Sequence, residues 1–87
     1  MTAKRLGVYS EDGMASVVEV LKDNSDKEWE RFSLKIVKVL SQSPTMKDVT
    51  EDEEFDVAAK RNFRMYCGWD LNEEPDAVKE ALESTSN

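Results

Sequence analysis

The sequence has 87 residues, 39% of them hydrophobic and 36% charged, which predicts one small domain spanning residues 1–87 with a single core. Its 12 Lys and Arg face 19 Asp and Glu, and the net charge of −7 makes duplex DNA an unexpected ligand. Histidine is absent, which excludes Ser-His-Asp triads, His-containing zinc sites and the usual general base near pH 7.

The first forty residues have the turns and alternation of three antiparallel strands. Asp12-Gly13 is a strong hairpin signal, and a polar stretch over residues 23–27 separates a second valine-rich run from a third. The third run alternates apolar and polar side chains, with Phe32, Leu34 and Ile36 on one face. These features predict a small antiparallel β-meander over residues 5–40.

A helical interpretation of the same segment remains open. Ser25 and Glu28 have the spacing of a capping box. The side chains that would then share one helical face are Trp29, Phe32, Ile36 and Leu40. This pattern gives the alternative fold, an all-α four-helix domain, and either interpretation buries Trp29.

The second half of the chain has helical signals. Thr50 and Glu53 form a second capping box, and Phe55, Ala59, Phe63 and Tyr66 recur at helical spacing, which predicts a helix over residues 51–66. Pro75 in a first turn predicts a last helix over residues 73–83. The expected fold is therefore α+β, a meander with two C-terminal helices, and residues 84–87 are expected to fray.

The negative charge lies in the second half. Residues 48–87 carry 12 acidic and 4 basic side chains. The predicted partner-binding residues are Glu51, Asp52, Glu53 and Glu54, because a negative surface can engage a basic protein surface, including one that normally binds nucleic acid. Trp69 and Leu71 follow Gly68 in a short connection and are expected to be partly exposed as an apolar anchor. In the alternative interpretation, the same two residues cap the core. The same acids could instead only keep the protein soluble.

A basic and aromatic stretch over residues 60–69 supports a second function. Cations interleaved with aromatic rings are typical of single-stranded nucleic-acid grooves, and the residues concerned are Lys60, Arg61, Arg64 and Tyr66. In the competing interpretation, Phe63 and Tyr66 belong to the core and the cations neutralise acids one turn away, as Lys60 would neutralise Asp56.

No residue pattern predicts catalysis, a metal site or a cofactor. Oxygen side chains alternate over residues 70–76 as in a calcium loop, but Pro75 and Ala81 occupy the positions that need glycine and glutamate. The single cysteine, Cys67, cannot form an intramolecular disulfide, and no segment is apolar enough for a membrane span or a signal peptide. The sequence thus predicts a cytoplasmic, non-enzymatic interaction module or inhibitor with a protein partner and no membrane partner.

Overall fold

The computed structural model describes residues 4–84, which form a curved antiparallel sheet and one helix. The strands are β1 (Leu6–Glu11), β2 (Met14–Asp23), β3 (Trp29–Ser41), β4 (Glu54–Lys60) and β5 (Trp69–Asn72), and the helix is α1 (Pro75–Glu83). The strand order is β4-β3-β2-β1-β5. The predicted α+β class is confirmed and the all-α alternative is wrong. Of the predicted frayed tail, residues 85–87 lie outside the described residues.

The predicted meander is present as β1, β2 and β3, and local signals explain it. Asp12 and Gly13 both have positive φ, 49° and 89°, as a tight hairpin turn requires. The register between β2 and β3 shifts at three places, one of which lies between Val17 and Val18. Such bulges bend a strand pair and increase its twist. The sheet is therefore bent into a half-barrel.

The main core fills the inner face of this half-barrel. Phe32, Leu34 and Ile36 alternate inward along β3, as the sequence predicted. The buried core residues are Tyr9, Met14, Val18, Phe32, Leu34, Ile36, Ala59, Trp69 and Leu71. Gly7 allows β1 and β5 to approach closely, because a Cβ added there would lie 2.7 Å from Leu71 Cδ1. The inward-facing apolar residues of β3 therefore line the centre of the core.

Helix α1 packs on the outer face of the sheet against β1 and β2. It begins with Pro75 in its first turn, as predicted, and buries Val78. Lys38 on β3 donates to the carbonyl groups of Ala81 and Leu82, where a cation stabilises the C-terminal end of a helix. Across residues 4–84 the structure contains no helix with the length and apolar character needed to cross a membrane.

The predicted helix over residues 51–66 is wrong. Residues 54–60 form β4, which pairs with β3 from Lys35↔Glu54 to Trp29↔Lys60. Phe55 and Val57 also alternate with the acidic Glu54 and Asp56, so this segment carries a strand period as well as a helical one. Pairing with the exposed edge of β3 decides between them, because it completes the ladder and covers Phe32 and Leu34.

Trp69 closes the half-barrel from β5 towards β4. Its ring stacks on Tyr9 with centroids 5.9 Å apart and meets Phe32 edge-on at 6.3 Å. Its indole Nε1 donates to the Ala58 carbonyl on β4, at 3.1 Å. The indole thus bridges the two edge strands, and the prediction that Trp69 is exposed in a connection is wrong because the side chain is only 5% exposed.

Arg64 closes the same opening from the segment between β4 and β5. Its guanidinium donates twice to the Glu30 carboxylate on β3, at 2.6 and 3.1 Å, and once to the Leu71 carbonyl on β5, at 2.9 Å. It also lies 5.3 Å from the centre of the Trp69 ring. Partial burial opposes its charge, but the carboxylates of Glu30 and Asp70 together outweigh this effect and raise the pKa of Arg64. We call Arg64 and Trp69 together the clamp.

The two tryptophans should contribute very differently to stability. Trp29 is 39% exposed, contrary to the sequence prediction, and Arg31 stacks on it at 5.4 Å. We expect Trp69→Ala to lower the free energy of unfolding by about 3–5 kcal/mol. Trp29→Ala should cost about 1 kcal/mol or less, as surface changes do. Urea unfolding of both variants measures this, and a larger loss for Trp29→Ala would contradict the assignment of the core.

Candidate interaction surface

The segment between β4 and β5, residues 61–68, presents large apolar side chains to solvent, and we call it the aromatic loop. Tyr66 is 86% exposed, Met65 80% and Phe63 46%. The rings of Phe63 and Tyr66 contact each other, with centroids 5.5 Å apart. The interpretation that placed these two rings in the core is therefore wrong. Aromatic residues and methionine are enriched in protein interfaces, so this loop is the first candidate for a binding surface.

Backbone hydrogen bonds and the clamp fix the shape of the aromatic loop. Phe63 N donates to Lys60 O, and Cys67 N donates to Arg64 O. Gly68 ends a short 3-10 turn (Met65–Cys67) with φ of 87° and donates to Met65 O. The Arg64 side chain between Phe63 and Met65 points inward to Glu30. Because the loop is already ordered, binding through it costs little conformational entropy.

The predicted nucleic-acid residues do not form one free basic surface. Lys60 is exposed on β4 and Tyr66 is exposed on the aromatic loop. Arg61 donates to the Asp26 carbonyl in the connection between β2 and β3. Arg64 belongs to the clamp, so its assignment as a phosphate contact is corrected, because the Glu30 carboxylate already neutralises it. The positive charge at this end of the sheet is smaller than the sequence suggests.

The predicted partner-binding residues divide into an exposed group and a buried pair. Glu51, Asp52, Glu53 and Glu54, which we call the acidic segment, are all exposed at the start of β4. The length of β4, roughly 20 Å, separates them from the aromatic loop. Trp69 and Leu71 are 5% and 4% exposed, so their assignment as a surface anchor is corrected. They face the core because pairing of β5 with β1 turns alternate residues of β5 inward.

A groove of about 340 Å³ lies between the β1–β2 turn and the aromatic loop. Its apolar lining includes Met14, Met65 and the edge of Trp69, and its carboxylates are Glu11, Asp12 and Asp70. Sequence reasoning missed this groove because its two walls are 50 residues apart and meet only through the β1–β5 pairing, for which no local signal exists. The acidic residues beside Gly13 predicted a turn and nothing more.

The side chains present are suited to binding. Cys67 is exposed and unbonded, and within residues 4–84 no three His, Cys, Asp or Glu side chains are placed to hold a metal ion. Two carboxylates of the groove, those of Glu11 and Asp12, accept hydrogen bonds from neighbouring hydroxyl groups. Tyr9 donates to Glu11 Oε1 at 2.6 Å, and burial together with this bond raises the pKa of Tyr9, so its hydroxyl remains a donor.

Comparison with protein-family models, with curated proteins and with solved structures finds no match for this chain.

Proposed function

We propose that the chain is a non-enzymatic interaction module that binds a basic surface of a partner protein. The observation that supports this most is the exposure of Tyr66 and Met65, 86% and 80%, on a loop whose backbone is fixed by the clamp. Large apolar side chains that are exposed on a fixed loop do not stabilise the fold. Rigid aromatic side chains are, however, efficient anchors in interfaces. The anchor is thus the aromatic loop, in place of Trp69 and Leu71.

The sign of the partner follows from the charge of the chain. The net charge is −7, and the acidic segment is exposed at the end of β4 opposite to the aromatic loop. Carboxylates that lie outside the contact surface attract a basic partner during encounter more than they hold it afterwards. We therefore assign the acidic segment to steering and the aromatic loop to the bound state.

A second candidate, binding of single-stranded nucleic acid, is favoured by the exposure of the Phe63 and Tyr66 rings. Bases stack on such rings, and Lys60 and Arg61 lie next to them. Against it stand the neutralised Arg64 and the net charge of −7. Duplex DNA stays an unexpected ligand for the same electrostatic reason.

Removing the two exposed rings should strongly weaken capture of a protein partner. We expect Phe63→Ser with Tyr66→Ser to weaken capture about 30-fold, as loss of about 2 kcal/mol at a hot spot does. The control is Leu21→Ser with Leu82→Ser, which removes side chains that are 41% and 40% exposed elsewhere. Each immobilised protein is incubated with host lysate, with and without about 0.5 M salt, and captured proteins are quantified by mass spectrometry.

The informative proteins are those that the wild type and the control capture without added salt. They should be lost when salt is added and should not be captured by the Phe63→Ser, Tyr66→Ser variant, which we call the ring variant. Equal capture by the ring variant and the wild type would contradict the assignment of the aromatic loop. Urea unfolding of all three proteins shows whether a loss of capture reflects a loss of folding.

Single-stranded DNA should not bind tightly near physiological salt. A fluorescein-labelled oligothymidine titrated at about 0.15 M salt is expected to show a Kd well above 1 µM, since few phosphates can be neutralised. A Kd below about 1 µM that is lost in the Phe63→Ser, Tyr66→Ser variant would replace the protein-binding proposal with the nucleic-acid one.

A further inference from the structure

The groove between the β1–β2 turn and the aromatic loop combines an apolar floor with a negative rim. The apolar lining comprises Met65, which is 80% exposed, and the core residues Met14 and Trp69, which are only 3% and 5% exposed. Glu11, Asp12 and Asp70 contribute the carboxylates. A methionine side chain is flexible and polarisable, so it adapts to a chain that is laid over it.

Two carboxylates of the rim, those of Glu11 and Asp12, are held in place without a cationic partner, whereas Asp70 is paired with Arg64. Glu11 accepts from the Tyr9 hydroxyl, and Asp12 accepts from the Thr45 hydroxyl. Neither donor carries a charge, and no cation among residues 4–84 lies within ion-pairing distance of either carboxylate. Asp70 is 3.6 Å from Arg64, whose closer contacts are to Glu30. The groove therefore keeps a negative potential that a cation can relieve.

We propose that this groove receives a lysine or arginine side chain from an extended basic segment of the partner protein. This inference rests on the proposed function, and it assigns the recognition of basic partners to the groove. The aliphatic stem of such a side chain would pack on Met65 while the charged end reaches Asp12 and Asp70. Long cationic side chains bury their stems in this way and keep their charged ends in polar surroundings. Phosphate groups are excluded from the groove by the same three carboxylates.

The two walls of the groove are fixed before binding. The tight turn at Asp12 and Gly13 holds one wall, and Gly13 lies against Pro44. The 3-10 turn that ends at Gly68 holds the other wall. Because neither wall has to be ordered on binding, a single cationic side chain can bind measurably even from a short peptide.

A defined peptide tests this assignment. The probe is a seven-residue peptide of serine and leucine with arginine at its centre, blocked at both ends, and its partner probe has neutral citrulline in place of arginine. Both are titrated into ¹⁵N-labelled protein and followed by amide chemical shifts. We expect the arginine peptide to shift Gly13, Met65, Gly68 and Asp70, and the citrulline peptide to bind about tenfold more weakly.

Two matched variants separate the groove from the overall charge. Asp12→Asn with Asp70→Asn removes two charges from the groove, and asparagine both tolerates the positive φ of residue 12 and keeps an acceptor for Thr45. Asp52→Asn with Glu53→Gln removes two charges from the acidic segment, where residue 52 also has positive φ. We expect the first pair to weaken the arginine peptide about tenfold and the second pair less than twofold.

Three outcomes would overturn the assignment: no shifts at the groove, shifts spread equally over the acidic segment, or equal weakening by both pairs of variants. The capture experiment with Phe63→Ser and Tyr66→Ser shares no substituted residue with this one. Loss of capture together with a silent groove would leave the aromatic loop as the binding surface and remove the groove. If the peptide binds in the groove while the Phe63→Ser, Tyr66→Ser variant captures its partner unchanged, the groove remains as the binding surface and the aromatic loop is removed.

Discussion

A half-barrel has two edge strands that face each other across an opening, and closing that opening is the constraint on which this structure depends. Backbone groups along an unpaired edge invite pairing with other chains, and an open side would admit water to the core. The clamp solves both problems with side chains. The indole of Trp69 donates a hydrogen bond to the Ala58 carbonyl on β4. The guanidinium of Arg64 donates a hydrogen bond to the Leu71 carbonyl on β5 and also neutralises Glu30 on β3.

The same clamp explains why the aromatic loop is exposed. Arg64 is drawn inward to Glu30, whose side chain is only 10% exposed. The 3-10 turn that follows Arg64 then directs Met65 and Tyr66 outward, before Trp69 returns to the core. One short segment therefore both closes the sheet and exposes the side chains of the candidate binding surface. The groove beside Met65 is a further product, because the β1–β5 pairing brings the turn at Asp12 against this segment.

Local signals in the sequence predicted much of the fold. The Asp12-Gly13 turn, the alternation along β3 and Pro75 at the start of α1 each depend on neighbouring residues alone. The helix over residues 51–66 was wrong because Phe55 fits both periods and the deciding factor, the free edge of β3, is not local. Asp52 and Asn62 lie on either side of β4, and each has a φ of 71°. Asp and Asn adopt positive φ more readily than other residues, so these two positions could have indicated the turns that bound a strand.

The candidate site was harder to predict, because exposure there depends on contacts between distant residues. In the sequence, Arg64 looks equivalent to Lys60 and Arg61, and only Glu30, 34 residues earlier, makes it an internal residue. The sequence prediction also reversed the two tryptophans, since it placed Trp29 in the core and Trp69 at the surface. No residue near Trp69 in the sequence indicates that Tyr9 and Phe32 pack against it. The exposed acidic segment was identified correctly as surface, because charge alone keeps such residues in water.

A double-mutant cycle on Arg64 and Glu30, followed by urea unfolding, tests most directly whether the clamp holds the fold together. We expect Arg64→Met to lower the free energy of unfolding by about 3–5 kcal/mol, because it leaves Glu30 charged and unpaired inside the protein. The combination with Glu30→Leu should cost clearly less than the sum of the two single changes, since no unpaired charge then remains. A loss below about 1 kcal/mol for Arg64→Met, with additive single effects, would show that the half-barrel closes without its clamp.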